Sequence, residues 1–346
     1  MEMKKYSIIL YAVVALLFTG CREDETTMPT LNVIKSELNF DAKAQEGYII
    51  MSQTGCQAYS SEEWCQTTVV NEKVIVKVDD NTSLEGRTAR VTISSANDTQ
   101  TVPVSQMGGF FRLDSETTQS ISDIASSIEL NIATPFDYNM TASASWMTLK
   151  KGTDAVEVEV EENRSGRPRM GTAILSCPAL NKEITFTLYQ YSINDLMGEW
   201  TAEYTDMNGS NRSIAVTLAL QKQDIIVNGL PDDLTLKAKQ KGENDFYFAI
   251  GEALGTYMGE YRIYQSGVDT NGEIHDTHDP LHPETRKVKY GKELMINSNG
   301  DCTLSFMADS TFSNGMKMKG LAVTAYDAQG NALGLVENYV NLILKR

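Results

Sequence analysis

All three histidines of the chain lie within eight residues, from His275 to His282. Acidic residues surround them, and imidazole and carboxylate groups both ligate divalent transition metals. His275, His278 and His282 are therefore candidate metal ligands. The spacing H-x-x-H-x-x-x-H in a proline-containing segment differs from the helical H-E-x-x-H pattern, so a solvated loop without metal is the alternative.

The sequence carries no recognisable catalytic motif. A glycan hydrolase needs two carboxylates roughly 5 to 10 Å apart. The chain has 46 acidic residues, but no pair of them stands in a recognisable context. A G-x-S-x-G elbow, a phosphate-binding glycine loop and a dinucleotide fingerprint are all missing from the sequence. We therefore expect no catalytic residues and no cofactor.

Aromatic residues offer a different chemistry, because sugar rings stack on exposed aromatic faces. The segment from Thr256 to Tyr264 has the pattern of a β-strand, in which period two places Tyr257, Gly259 and Tyr261 on one face. Tyr257, Tyr261 and Tyr264 are therefore candidate ligand-binding residues. The alternative is that these tyrosines pack on a partly solvent-exposed face of the sheet without binding a ligand.

The chain contains five cysteines. Cys56 and Cys65 flank a short turn-like stretch, and an oxidising compartment would permit a Cys56–Cys65 disulfide. A zinc site is the alternative, although these cysteines lack a second close pair. Cys177 and Cys302 are expected to be buried thiols, and Cys21 directly follows the N-terminal signal.

The first 20 residues have the pattern of a secretory signal peptide. Lys4 and Lys5 precede an apolar run from Ile8 to Phe18, which is too short to cross a bilayer. Thr19-Gly20-Cys21 resembles a bacterial lipobox, in which the cysteine carries the lipid. Residues 21–30 would then be an acidic tether, which resembles the export tag of Bacteroidetes lipoproteins that are lipid-anchored on the surface of the cell outer membrane.

Composition excludes one class of partner. The formal net charge of the chain is −16, and removal of residues 1–20 takes away two lysines and one glutamate, which gives −17. Nucleic acid repels such a polyanion, so we expect no nucleic-acid binding. Short alternating apolar segments separated by turn residues predict antiparallel β structure throughout.

Four landmarks recur in the same order, the first three at an offset of 82 residues and the fourth at an offset of 84. They are a tryptophan, an asparagine 17 positions later, an arginine six positions after the asparagine, and a glutamine that ends the last strand of the unit. The first copy has Trp64, Asn81, Arg87 and Gln106, and the second has Trp146, Asn163, Arg169 and Gln190. Such a repeat predicts two domains of one fold, over residues 31–108 and 109–191.

These landmarks resemble the BACON domain (Bacteroidetes-associated carbohydrate-binding often N-terminal). The resemblance implies two small immunoglobulin-like β-sandwiches, which either bind carbohydrate or act as spacers for another module. Trp64 and Trp146 occupy matching positions, as core residues of the fold would, and we expect a structural role for both.

Residues 192–346 lack the repeat and form a different β domain. Gly198-Glu199-Trp200 near its start and Lys345-Arg346 at its end resemble the lipocalin arrangement, in which a tryptophan closes the barrel base under a basic side chain. Turns are predicted at Asn271-Gly272 and Asn299-Gly300. An antiparallel β-barrel is the expected fold, and a larger sandwich is the alternative.

The sequence therefore predicts an all-β, non-enzymatic surface lipoprotein that binds or presents glycan in a polysaccharide or mucin utilisation system. Its expected partners are the outer membrane, a glycan and other surface proteins. The alternative function is a structural spacer or an adhesin-like protein-binding scaffold without carbohydrate affinity.

Overall fold

The structure is a computed structural model, and it describes residues 30–276, 287–297 and 299–346. The predicted signal peptide, Cys21, His278 and His282 lie outside these residues. Within them the chain is built of strands joined by turns and short 3-10 segments. None of its described helical segments has the length and apolar character needed to cross a membrane.

The first β-sandwich has two sheets of four strands. Its strands are β1 (Val33–Glu37), β2 (Asn39–Phe40), β3 (Gln45–Met51), β4 (Gln57–Ser60), β5 (Cys65–Val70), β6 (Lys73–Val78), β7 (Arg87–Ser94) and β8 (Thr99–Gln106). One sheet has the order β1-β3-β6-β5 and the other the order β2-β8-β7-β4. Alternate residues such as Val74, Val76 and Val78 face the core, as period two requires.

The second β-sandwich repeats this arrangement strand for strand. Its strands are β9 (Arg112–Leu113), β10 (Thr118–Ile121), β11 (Ser126–Ala133), β12 (Asn139–Ala142), β13 (Met147–Lys151), β14 (Ala155–Val160), β15 (Arg169–Cys177) and β16 (Lys182–Gln190), with a 3-10 turn at Pro178–Leu180. Its sheets have the orders β9-β11-β14-β13 and β10-β16-β15-β12. In both sandwiches the second strand pairs in parallel with the last, so the two sandwiches share one topology.

The remaining strands form a closed barrel with a flanking extension. They are β17 (Gly198–Thr205), β18 (Asn211–Gln221), β19 (Asp224–Asn228), β20 (Leu236–Lys241), β21 (Asp245–Ala249), β22 (Ala253–Tyr257), β23 (Tyr261–Asp269), β24 (Ile274–His275), β25 (Lys289–Ile296), β26 (Cys302–Ala308), β27 (Met318–Tyr326) and β28 (Ala332–Lys345); 3-10 segments lie at Ile193–Leu196 and Pro231–Asp233. Among the described residues, eight strands close in the order β17-β18-β19-β20-β21-β25-β26-β28, and β28 returns to β17.

The long strand β28 belongs to both parts of this domain. Its first half pairs with β27, which continues through β23 to β22 and β24, and its second half pairs with β17 and β26. Asn341 lies between the two halves with φ of 54°, a left-handed conformation that asparagine tolerates. Aromatic side chains fill part of the barrel interior, where the rings of Phe248 and Phe306 are 5.1 Å apart.

A five-residue turn recurs at hairpins of the barrel domain. The first residue is Asp or Asn, and its Oδ1 accepts the backbone N–H groups of the third and fifth residues, while the fourth is a glycine with positive φ. Four such turns begin at Asp206, Asp269, Asn297 and Asp327. The side chain thus satisfies backbone donors that a tight turn would leave unpaired.

The described chain folds into two compact units. The first comprises the described residues up to Asn81 together with Glu85–Gly108, and the second comprises Thr82–Leu84 and Gly109–Arg346. The second sandwich and the barrel therefore belong to one unit.

The predicted Cys56–Cys65 disulfide is wrong for this structure, in which both thiols are free and buried. Cys56 directly precedes β4, whereas the Cys65 thiol is hydrogen-bonded to Ser60, the last residue of β4. A strand rises about 3.3 Å per residue, so β4 separates the two positions. A disulfide requires Cα atoms within about 7 Å.

Candidate functional site

Each sandwich tryptophan lies under an arginine. The guanidinium carbon of Arg87 is 4.2 Å from the Trp64 ring centroid, and that of Arg169 is 4.2 Å from the Trp146 ring centroid. Both distances suit a cation–π contact. The arginine covers one face of each ring. The tryptophans therefore stabilise the fold rather than form open platforms for sugar rings.

The arginines are held by the glutamine that ends each unit. Arg87 Nε donates to Gln106 Oε1 at 2.8 Å, and Arg169 Nε donates to Gln190 Oε1 at 2.9 Å. Gln106 and Gln190 are almost completely buried, and their amide groups donate in turn to backbone carbonyls. The repeated landmarks therefore form a buried polar joint between the two sheets of each sandwich.

The barrel carries a third tryptophan–arginine pair, which supports the lipocalin-like interpretation of its ends. The guanidinium carbon of Arg346 lies 4.6 Å from the Trp200 ring centroid. The Trp200 ring is buried, and its Nε1 donates to the carbonyl of Leu196 at 2.9 Å. Arg346 also donates to the carbonyl groups of Asp195 and Met197. This pair closes one end of the barrel.

The predicted single strand from Thr256 to Tyr264 is instead a hairpin, which is a correction. Strand β22 ends at Tyr257, Met258 and Gly259 turn with φ of 53° and 75°, and β23 begins at Tyr261. Positive φ at two successive residues reverses the chain, which the alternation of apolar and polar residues did not reveal. Tyr257 and Tyr261 nevertheless become direct cross-strand neighbours.

The three candidate tyrosines do not share one face. Tyr257 and Tyr261 are half-buried and pack against the barrel core. Tyr264 is three positions beyond Tyr261 and therefore points to the opposite face of β23. There its ring meets the ring of Tyr326 edge-on, with centroids 5.4 Å apart. Only the Tyr257–Tyr261 pair can act together on one ligand.

The described part of the histidine segment begins with His275, which lies on β24 beside β23. Its ring stacks on Phe312, with centroids 3.8 Å apart and planes 6° from parallel. His275 Nε2 is 2.9 Å from Asp269 Oδ2. Asn314 Nδ2 donates to the same oxygen at 2.8 Å and to Glu273 Oε2 at 3.3 Å.

The Asp269 side chain is fully buried and accepts four hydrogen bonds. Oδ1 accepts from the backbone N–H groups of Asn271 and Glu273, and Oδ2 accepts from His275 and Asn314. Burial alone would raise the pKa of Asp269, but these hydrogen bonds outweigh it and lower the pKa to about 2. Since the ionised carboxylate is an acceptor only, His275 Nε2 carries the proton in this contact.

This cluster includes one of the three predicted metal ligands and two residues that the sequence had not singled out. Ligand atoms of Asp269, Glu273 and His275 lie within 4.8 Å of one another. Such a set can hold a divalent transition metal. The Asp269 carboxylate already has a full set of donors, so a metal ion would have to displace at least one of them. The spacing of Asp269 and Glu273 as the ends of a turn was the missed signal.

Comparison with known proteins gives limited matches. No curated protein matches the chain. A solved structure of a Bacteroides ovatus GH5 xyloglucanase in complex with a XXXG heptasaccharide is similar at 25% identity and a TM-score of 0.21, covering 23% of this chain and 19% of that chain. The I9-I11 tandem from titin is similar at 13% identity and a TM-score of 0.30, covering 47% of this chain and 66% of that chain. This chain thus spans less than two thirds of either protein.

A third solved structure, an endo-fucoidan hydrolase from glycoside hydrolase family 107, is similar at 9% identity and a TM-score of 0.26, covering 47% of this chain and 29% of that chain. The family match lies in the first of the two sandwiches that carry the resemblance. Residues 55–107 of this sandwich match the model of the BACON family, described as "Putative binding domain, N-terminal".

Proposed function

We propose that this chain is a lipid-anchored protein of the outer-membrane surface that binds glycan in a polysaccharide or mucin utilisation system and catalyses no reaction. In this proposal the two sandwiches connect the anchor to the barrel, and the barrel domain makes the glycan contact. The BACON match of the first sandwich supports a binding role, because the family description names binding.

The Tyr257–Tyr261 pair carries the proposal. Residues directly opposite on antiparallel strands have Cβ atoms about 5 Å apart, so the two side chains start next to each other on one face of the hairpin. Neighbouring Gly255 and Gly259 add no side chain that would cover it. The three tryptophans, by contrast, are stacked against arginines. A sugar ring can therefore reach the tyrosine pair more readily than the tryptophans.

A binding role without catalysis fits the nucleophiles and bases that the structure describes. Burial raises the pKa of the Cys65 and Cys302 thiols, which disfavours the reactive thiolate. The proton of His275 Nε2 is directed at the buried Asp269 carboxylate, and one face of the ring is covered by Phe312. These contacts serve the hairpin and give no nucleophile–base pair.

The anchor is proposed from the sequence alone, since Cys21 lies outside the described residues. The basic head, the short apolar run and the cysteine after Gly20 support it. Mass spectrometry of the N-terminal peptide from membrane fractions tests it. A diacylglycerol-modified Cys21 supports the anchor, and an unmodified N-terminus at another residue refutes it.

Calorimetric titration with mucin and plant glycans tests the binding proposal. We expect at least one glycan to bind the chain and a Tyr257→Ala/Tyr261→Ala double variant to lose that binding. Tyr59→Ala is the matched control, because Tyr59 is 59% exposed in the first sandwich. Binding lost with Tyr59 instead would place the site in the BACON-like sandwich. No binding by the intact chain would favour the spacer or protein-binding scaffold.

A further inference from the structure

The first sandwich has an edge strand that lacks the features which usually block pairing with another strand. Strand β5 ends the sheet order β1-β3-β6-β5 and pairs with β6, so its other edge has no strand partner among the described residues. Its six residues, Cys65–Val70, include no charge, proline or glycine. Threonine and valine favour extended backbone, and an unblocked edge of this composition is a template for a further strand.

The other edges of the two sandwiches are short, irregular or charged. Strands β2, β4, β9, β10 and β12 have four residues or fewer, and β1 has a register shift between Val33 and Lys35. Strand β13 of the second sandwich is the counterpart of β5, and Lys150 stands there at the position of Thr68, 82 residues earlier. Lysine on an edge strand hinders pairing with another chain. The same edge is thus charged in the second sandwich and neutral in the first.

The register of β5 and β6 shows which backbone groups point to the open edge. The Asp79 amide donates to the Trp64 carbonyl at 3.0 Å, so Trp64 and every second residue after it bond towards β6. The amide and carbonyl groups of Thr67 and Val69 therefore point away from β6. The Thr67 side chain donates to the Ala58 carbonyl at 3.0 Å, which holds β5 in place without using these backbone groups.

This edge is complementary to itself in an antiparallel pairing. When Thr68 lies opposite Thr68 of a second copy, Thr67 of each copy lies opposite Val69 of the other, and these two residues exchange N–H···O=C hydrogen bonds. Two threonines directly opposite each other also stabilise a strand pair. Glu62 and Glu63 precede β5, so the antiparallel direction keeps the acidic ends of the two strands apart.

We infer that β5 is an interface between two copies of this chain, which join their first sandwiches into one continuous sheet across a two-fold axis at Thr68. The sheet β1-β3-β6-β5 of one copy then continues into the same four strands of the other in reverse order. Although the chain has a net charge of −16, the strand that makes the contact is neutral. The inference goes beyond the proposed glycan binding and does not depend on it.

Sedimentation velocity of the mature chain over a concentration series tests this interface. Residues 21–346 carry Cys21→Ser, so that no lipid drives association. We expect a reversible dimer whose fraction rises with concentration up to about 1 mM. Thr68→Lys copies Lys150 and places like charges opposite each other, so we expect at least about tenfold weaker dimerisation. Thr88→Lys is the matched control, because Thr88 is exposed on the inner strand β7, and it should keep the dimer.

Disulfide trapping tests the register of the pairing. Thr68→Cys places two thiols opposite each other at a non-hydrogen-bonded position, where Cα atoms lie about 4.5 Å apart and within disulfide range. The four described native cysteines are buried and should not compete. We expect mild oxidation to link two Thr68→Cys chains and to leave Thr88→Cys chains separate. This variant decides the inference if Thr68→Lys does not fold.

Three results would overturn the interface. A chain that stays monomeric at every concentration would do so, whether or not it binds glycan. A dimer that persists unchanged in Thr68→Lys, or that gives no Thr68→Cys cross-link, would place the contact on another surface. A dimer weakened equally by Thr68→Lys and Thr88→Lys would depend on the charge of the sandwich rather than on the edge of β5.

Discussion

The guanidinium carbon of Arg346, the last residue of the chain, lies 4.6 Å from the ring centroid of Trp200 on the first barrel strand. The backbone of Arg346 also exchanges two hydrogen bonds with Cys302, which begins β26. Arg346 thus contacts both strands that neighbour β28 in the closed barrel, β17 and β26. Trp64 and Trp146 have the same kind of partner, so every tryptophan of the chain is stacked against an arginine.

Replacement of Arg346 by alanine should destabilise the barrel. It removes a cation–π contact and two hydrogen bonds to backbone carbonyls, for which we expect a loss of about 2 kcal/mol in the free energy of unfolding. Lys345→Ala is the control, because the Lys345–Glu203 ion pair is solvent-exposed and contributes about 0.5 kcal/mol. Urea unfolding of both variants measures the difference, and equal losses would contradict a specific role of Arg346.

Replacement of Arg169 by alanine should lower the free energy of unfolding of the second sandwich by about as much as Arg346→Ala lowers that of the barrel. Arg169 Nε and Nη2 both donate to Gln190 Oε1, and Gln190 is fully buried, so the variant leaves a buried acceptor unpaired at a cost of about 1 to 3 kcal/mol. Arg164→Ala should have little effect, because Arg164 is paired with Glu162 on the surface. Thermal unfolding that ranks Arg164→Ala as the worse variant would refute the buried joint.

Acid should weaken the barrel domain through Asp269. Its pKa in the folded chain is about 2, below its ordinary value of 3.8, so its contribution is present above about pH 4 and is lost as pH falls towards 2. The difference corresponds to about 2 kcal/mol. Asp269→Asn should flatten the fall in stability over this range.

Asp327→Asn is the matched control for this acid sensitivity. Asp327 begins the same kind of five-residue turn, but among the described residues its carboxylate accepts from Asn331 and Gln329 and not from a histidine. Hydrogen bonds from Asn331 and the backbone also lower the pKa of Asp327. Stability curves between pH 5 and about pH 2 that change more for Asp327→Asn than for Asp269→Asn would contradict the central role of Asp269.

Zinc should not stabilise the hairpin around His275. The Asp269 carboxylate already accepts four hydrogen bonds, and a bound ion would have to displace some of these donors. We therefore expect the same melting temperature with and without zinc. A zinc-dependent rise that disappears in His275→Ala would establish a metal site formed by His275, Asp269 and Glu273 instead.

The repeat was predictable from sequence because its landmarks are structurally indispensable. Each sandwich needs a buried glutamine to hold an arginine over a tryptophan, so the residue types and their spacing recur together. The Trp200–Arg346 pair of the barrel was predictable for the same reason. Short motifs that allow a single geometry can be identified from one amino-acid sequence.

Contacts that depend on where the chain turns were not predictable. The residues around Met258 alternate as a strand would, and only the positive φ of Met258 and Gly259 creates the hairpin. Spacing also suggested that Cys56 and Cys65 could meet, although β4 separates them. Asp269 and Glu273 join His275 because β24 folds back on β23 through the predicted Asn271-Gly272 turn, and the aspartate that begins this turn was not recognised as part of the cluster.

Hydrogen exchange with and without a bound glycan tests the central claim most directly, because it locates the contact on the intact chain. The glycan would be the tightest binder found by calorimetry. The account predicts slower amide exchange in the hairpin from Ala253 to Tyr264, and no such change in the Tyr257→Ala/Tyr261→Ala variant. Protection confined to the first sandwich, with the hairpin unchanged, would contradict the claim that the barrel domain captures the glycan.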